Sequence, residues 1–192
     1  MSGRVSNRIE TLLANYRRRV ALPWAANLAG AQRVWFALYP PDNERRLRFR
    51  MPDFESETKS AFHSWKLYDL TPTFPAWLAT HDYREAYFED LSNFNTAVRG
   101  EFQDHVVADL QRFIGSADVN QDTVVALLGV GSLFGVLPIA EVIKAAAKSV
   151  PGRLLVFFPG GKTDNNTYKL LDAAVAWNYL AEAIPSDQGA TA

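Results

Sequence analysis

Cysteine is absent from the 192 residues. Disulfides, thiolate metal sites and cysteine nucleophiles are therefore excluded, and a reducing compartment is compatible with the sequence. Histidine is scarce: His63, His81 and His105 are the three present, and no pair of them stands at a metal-ligand spacing. We therefore expect no metal and no histidine-based triad. Asp53, Glu55 and Glu57 alternate around a helix start, where attraction to the helix dipole explains them more simply than a cation does. Charge of one sign is missing too. The formal net charge is −1, so the whole-protein field favours neither nucleic acid nor an anionic membrane. Long apolar runs are also lacking. The longest, 124–140, is interrupted by Gly129, Gly131, Ser132 and Gly135, so it reads as buried core rather than a membrane span. Arg4, Arg8 and Arg17 to Arg19 break up the apolar stretch that a signal peptide needs. A soluble cytoplasmic protein is expected.

What is present is the composition of one globular domain. Apolar residues make up 48% and charged residues 21%, enough for a core and too apolar for disorder. The length fits a single domain over 1–184, with 1–28 as an N-terminal helical arm and 185–192 as a flexible tail. Charge is unevenly spread. Residues 1–50 hold ten arginines, no lysine and three acids, a net of +7, whereas 51–122 carry −8. Two outcomes fit this asymmetry: neutralisation within the fold, or a basic and an acidic face suited to partners.

Val5, Ile9, Leu12, Leu13, Tyr16 and Val20 recur at helical spacing, which predicts an amphipathic helix over 4–20. Residues 33–39 read as a strand. After the turn at Pro40 to Asn43, the alternation of Leu47, Phe49 and Met51 with Arg46, Arg48 and Arg50 predicts a second strand over 45–51. Pro52 opens a helix to about 62. A short strand over 65–70 follows, then a broken helical region over 72–91 and a long helix over 96–114. The apolar runs at 123–130 and 154–158 predict buried strands, the second ended by Pro159-Gly160-Gly161. They flank a helix over 138–149, and such a βαβ unit implies parallel strands covered on both faces. Helix, or a mixture of strand and helix, is expected over 170–183. The fold class is α/β, a small mostly parallel sheet flanked by helices, like a Rossmann or P-loop sheet without a nucleotide site.

Two glycine clusters invite nucleotide readings. A phosphate loop ending in Gly160-Gly161-Lys162-Thr163 needs a glycine at position 156, which is Val156 inside a strand. In Gly129-Val130-Gly131-Ser132 a dinucleotide fingerprint needs glycine at 134, which is Phe134. Both read as turns, and no cofactor is expected. The arginine stripe is the most distinctive polar feature. Two readings fit Arg46, Arg48 and Arg50: guanidinium groups on one strand face that bind phosphates or partner carboxylates, or charge that keeps an edge strand from aggregating. The aromatics at 35, 36, 39, 65, 68, 74, 77, 87, 88 and 94 read mostly as core, with Trp77 and Tyr87 as candidate interface anchors.

In their order and spacing, several segments resemble the BrxB family of BREX (bacteriophage exclusion) phage-defence systems. They are 34–58 (VWFALYPPDNERRLRFRMPDFESET), 64–79 (SWKLYDLTPTFPAWLA), 83–90 (YREAYFED), 127–143 (LLGVGSLFGVLPIAEVI), 153–161 (RLLVFFPGG) and 168–184 (YKLLDAAVAWNYLAEAI). The resemblance spans roughly 30–184. One departure falls at Ala61-Phe62-His63-Ser64-Trp65. The family pattern has a glycine-histidine pair before the tryptophan; here His63 remains and the glycine is absent, which leaves a glycine-dependent local turn open. The resemblance implies a component required for phage resistance. Such proteins are encoded beside a large ATPase, a DNA adenine methyltransferase and a PglZ-type protein with an alkaline-phosphatase-like domain. No catalytic residue carries over. With no recognisable site in the chain, a non-enzymatic role in protein–protein assembly is expected, and the family's gene neighbourhood makes the PglZ-type protein the expected partner and the ATPase a second. Two alternatives remain: a nucleic-acid-binding subunit using the basic first fifty residues, and a degenerate nucleotide-binding domain.

Overall fold

The structure is a computed structural model that describes residues 2–82, 84–89, 96–163, 167–171 and 176–187, leaving out the side chains of 2–7, 88 and 176–178. The expectations at Val5, the Phe88 side chain, Phe94, 164–166, 172–175 and the tail past Asp187 lie outside the described residues.

The chain is α/β. Strands β1 (Val34–Tyr39), β2 (Ser64–Asp69), β3 (Thr123–Leu128), β4 (Arg153–Thr163) and β7 (Glu182–Ile184) form a parallel sheet in the order β2-β3-β4-β1-β7. Side chains alternate across it with period two. On one face Val34, Phe36, Leu38, Val125, Leu127, Leu154, Val156 and Phe158 join a single cluster. Helices α4 (Thr73–Ala79), α6 (Thr96–Ile114) and α7 (Ile139–Ser149) cover that face through Trp77, Phe102, Val106, Leu110, Val142 and Ile143. On the other face Trp35, Ala37, Tyr39, Val124, Ala126, Leu155 and Phe157 meet helices α1 (Ser2–Val20), α2 (Glu44–Phe49) and α3 (Met51–Ser60). Burial on both faces is why β1, β3 and the start of β4 are continuously apolar. Each such Val, Leu or Phe side chain contributes about 1.5–3 kcal/mol through removal from water.

Helix α1 is fastened to the domain. Ile9, Leu12, Tyr16 and Val20 are fully buried, and the Tyr16 hydroxyl lies 2.5 Å from Thr58 Oγ1 of α3. A short helix α5 (Arg84–Glu89) precedes α6.

The structure corrects three expectations. Residues 45–51 are not a strand; they end α2 and open α3. Leu47, Met51 and Phe54 fall at i, i+4 and i+7 and are buried, whereas Phe49 is 83% exposed. The helical period thus separates Phe49 from the residues it seemed to alternate with. Second, β4 does not stop at Pro159-Gly160-Gly161. It runs to Thr163 and pairs antiparallel with β5 (Thr167–Leu170), which pairs with β6 (Ala176–Asn178). Pairing of β3 with β4 ends at Leu127↔Val156, so the missing N–H of Pro159 leaves no gap on that side. At Gly160 a Cβ would overlap the Lys169 carbonyl, so only glycine allows the β5 backbone this close. Third, the described part of 170–183 contains strand and no helix.

The turn after α3 forms without its glycine. The His63 N–H donates to the Thr58 carbonyl at 3.1 Å and the Phe62 N–H to Lys59 at 3.0 Å, the two bonds of a Schellman cap. Phe62 occupies the left-handed position, at φ 64°.

Candidate functional site

The arginines at 46, 48 and 50 do not share a strand face, because they lie on helical backbone. At about 100° per residue, positions two apart diverge and positions four apart align. Arg46 and Arg50 accordingly both turn to Glu10 of α1: Arg46 Nη2 stands 3.7 Å from its carboxylate, and Arg50 pairs closely with both Glu10 and Asp53. Arg48 turns the other way. Its Nε donates to Glu44 Oε1 at 2.8 Å, Nη1 to Asp69 Oδ2 at 2.7 Å and Nη2 to Thr71 Oγ1 at 2.6 Å.

Arg48 thereby clamps α2 to the carboxyl end of β2. The buried Tyr39 hydroxyl, at the end of β1, donates to Glu44, and the Thr71 N–H donates to Asp69 at 2.9 Å. Burial and the bond to Glu44 push the Tyr39 phenol well above its ordinary value. For Asp69, burial acts upward, but hydrogen bonds from Arg48 and Thr71 and the Arg48 charge outweigh it and hold the carboxyl below its ordinary value. The hydrogen bond to Asp69 in turn raises Arg48. These groups are about one-third exposed, so each ion pair contributes at most about 0.2–1 kcal/mol. Arg48 and Arg50 are therefore committed within the fold, while Arg46 stays 39% exposed. The charge asymmetry is partly neutralised the same way, since Arg17–Glu57, Arg48–Asp69 and Arg50–Asp53 join the basic and acidic segments.

What α2 offers to solvent is a shallow groove lined by Asp42, Asn43, Arg45, Arg46, Phe49 and Arg50. Arg45 is exposed and has no ion pair among the described residues. The exposed Phe49 ring is flanked by two arginines, an arrangement that the strand reading concealed. The signal that finds it is the i, i+4, i+7 spacing of Leu47, Met51 and Phe54, which leaves 45, 46 and 49 outward.

In doubly wound sheets ligands bind outside the carboxyl ends of the strands. Here described residues pack across part of that region. The 3-10 turn Val130–Leu133 after β3 meets Pro159 and Leu171: a Cβ at Gly131 would lie 3.2 Å from Pro159 Cγ and 3.7 Å from Leu171 Cδ2. Gly160, Gly161 and Lys162 pair with Leu170, Lys169 and Tyr168, which makes them ladder rather than a phosphate-wrapping loop. Gly129 sits at φ 78° against Asp69 and Thr71, where a side chain has no room. Both glycine clusters are thus turn or strand positions with packing reasons of their own.

The histidines lie apart: His63 stacks on Trp24 with ring centroids 3.7 Å apart, His81 packs on Trp77 at 4.0 Å, and His105 is exposed on α6. No group of three metal-ligating side chains occurs among the described residues. Trp77 is core rather than an anchor, buried against Phe102, and Tyr87 packs on the same cluster. No described helix is long and apolar enough to cross a membrane. Comparison with protein-family models, curated proteins and solved structures finds no match for this chain.

Proposed function

We propose that this chain is a non-enzymatic assembly subunit of a BREX-type anti-phage defence complex, and that it docks a larger protein through the groove around Phe49. The observation that carries the reading is a phenylalanine 83% exposed at the end of α2, beside the exposed Arg45 and half-exposed Arg46. Aromatic and arginine side chains anchor protein interfaces, and a handful of such residues supplies most of the binding energy. Covering the Phe49 ring alone is worth about 1.5–3 kcal/mol. Arg45 and Arg46 suit an acidic rim on the partner, which steers and orients the encounter.

The sequence resemblance makes the PglZ-type protein the partner of choice and the BREX ATPase the second. The test is co-purification of the full chain with each, followed by sizing of the complex. Retention of the PglZ-type protein by wild type, and its loss with Phe49→Ala, is the expected result. If instead the chain binds duplex DNA with sub-micromolar affinity near physiological salt, and Arg45→Glu with Arg46→Glu abolishes it, the chain is a nucleic-acid subunit and the assembly reading fails.

A further inference from the structure

At the opposite, amino-terminal end of the parallel sheet lies a second polar cluster, independent of the groove. Arg153 opens β4, Trp35 is the second residue of β1, His63 immediately precedes β2, and Trp24 lies in the segment between α1 and β1. The Arg153 guanidinium stands 4.8 Å from the Trp24 ring and 6.0 Å from the Trp35 ring. The two indoles meet edge-on at 5.7 Å, and Arg19 covers Trp35 at 4.7 Å.

Arg153 is only 4% exposed and forms no ion pair among the described residues. Nη1 donates to the Gly152 carbonyl at 3.2 Å and Nη2 to Ala25 at 3.0 Å. Arg153 Nε, Trp24 Nε1 and Trp35 Nε1 are buried donors with no acceptor among the described residues, and His63 Nδ1 is buried beside them without a partner there. Buried donors in native proteins are nearly always matched, and each exception calls for an explanation.

The surrounding charge says what is missing. Arg19 and Arg33 are close enough to act on Arg153, and Glu182 opposes them. Burial, followed by repulsion from Arg19 and Arg33, pulls the Arg153 guanidinium below its ordinary value. Glu182 is already engaged by Arg19, whose Nη2 lies 2.6 Å from its Oε2. The Arg33 nitrogens donate to the Leu28 and Val150 carbonyls. A water molecule can accept from two of these N–H groups but leaves the excess positive charge uncancelled. An oxyanion supplies acceptors only, and cancels charge. His63 is half-buried and stacks on Trp24.

We infer that the Arg153–Trp24–Trp35 cluster is a binding site for one small oxyanion, of phosphate or carboxylate type. The anion accepts from Arg153 Nε and the two indole N–H groups, and Arg19 and Arg33 add attraction without direct contact.

The full-length chain is melted against increasing phosphate, and separately against formate, with chloride at matched ionic strength as the reference. The expected result is a saturable rise in Tm of about 3–6 °C at ten times the apparent Kd. A rise with phosphate alone identifies phosphate chemistry, and a rise with formate identifies a carboxylate. General salt stabilisation does not saturate and persists in variants. Trp24→Phe keeps the ring and deletes one donor, so it should weaken the apparent affinity several-fold in a folded protein. Arg153→Met should abolish the saturable rise. If wild type gains no more from either anion than from chloride, or if folded Trp24→Phe and Arg153→Met respond as wild type does, the assignment is wrong.

Discussion

Replacing Phe62 by glycine should stabilise the domain, although it removes an aromatic side chain. Phe62 sits at φ 64° in the cap that ends α3, where a side chain bearing Cβ costs roughly 1–2 kcal/mol. Its ring is 95% exposed, so truncation gives up almost no burial. Glycine removes the steric cost but loses more backbone freedom on folding, roughly 0.5–1 kcal/mol. The balance is a gain of about 0–1.5 kcal/mol, about 0.75 kcal/mol at the midpoints, or roughly 1.5–3 °C in Tm for a chain of this size. Phe62→Ala keeps a Cβ in the same conformation and should change little, which separates the backbone effect from loss of the ring. Urea unfolding followed by tryptophan fluorescence reads both variants. The midpoint should rise for Phe62→Gly with an unchanged m-value. If Phe62→Gly instead destabilises the protein by more than about 0.5 kcal/mol, the ring is packed in solution or the turn is not left-handed, and the reasoning fails.

Other perturbations probe different layers of the account. Gly160→Ala should cost on the order of 1–3 kcal/mol, because a Cβ there meets the Lys169 carbonyl and pushes β5 off β4; thermal melting measures it. Phe157→Ala, at a fully buried position against Phe54, should cost about 3–5 kcal/mol in urea unfolding. The Asp69 carboxyl is held below its ordinary value when folded, so its contribution is present above the unfolded pKa and is lost as pH falls through the folded one. Asp69→Asn should therefore lower stability at neutral pH and reduce the acid-side decline of Tm; an unchanged decline would show that the Arg48 clamp has no weight.

Much of the fold was legible where local pattern and tertiary environment agree. The apolar runs that became β3 and the start of β4 read as buried strands because helices cover both faces of the sheet. Residues 96–114 read as helix from the spacing of Val98, Phe102, Val106, Leu110 and Phe113, and Phe102, Val106, Leu110 and Ile114 are the ones that α6 buries. Residues 45–51 failed because Leu47, Phe49 and Met51 satisfy a period of two over so short a span. Only Phe54, beyond Pro52, supplies the next helical position, and the proline looked like a boundary although it fits the first turn of α3. The extension of β4 through Pro159-Gly160-Gly161 was hidden because its partner β5 is what makes strand of it. The arginines were recognised as distinctive, but the wrong period put them on one face and Phe49 in the core. No local pattern joins Trp24, His63 and Arg153; the sheet brings the starts of β2 and β4 near each other, and the segment after α1 brings Trp24 to them.

If Phe49 and its flanking arginines dock a protein partner, removing the ring weakens the complex. The most direct measurement is calorimetric titration of the full chain against the PglZ-type protein, for wild type and for Phe49→Ala with its melting temperature checked. Loss of about 1.5–3 kcal/mol of ring burial predicts affinity weakened roughly 10- to 150-fold in a variant that melts as wild type does. Equal affinity of the two proteins would contradict the account, and so would the absence of binding to either the PglZ-type protein or the ATPase by a folded wild-type chain.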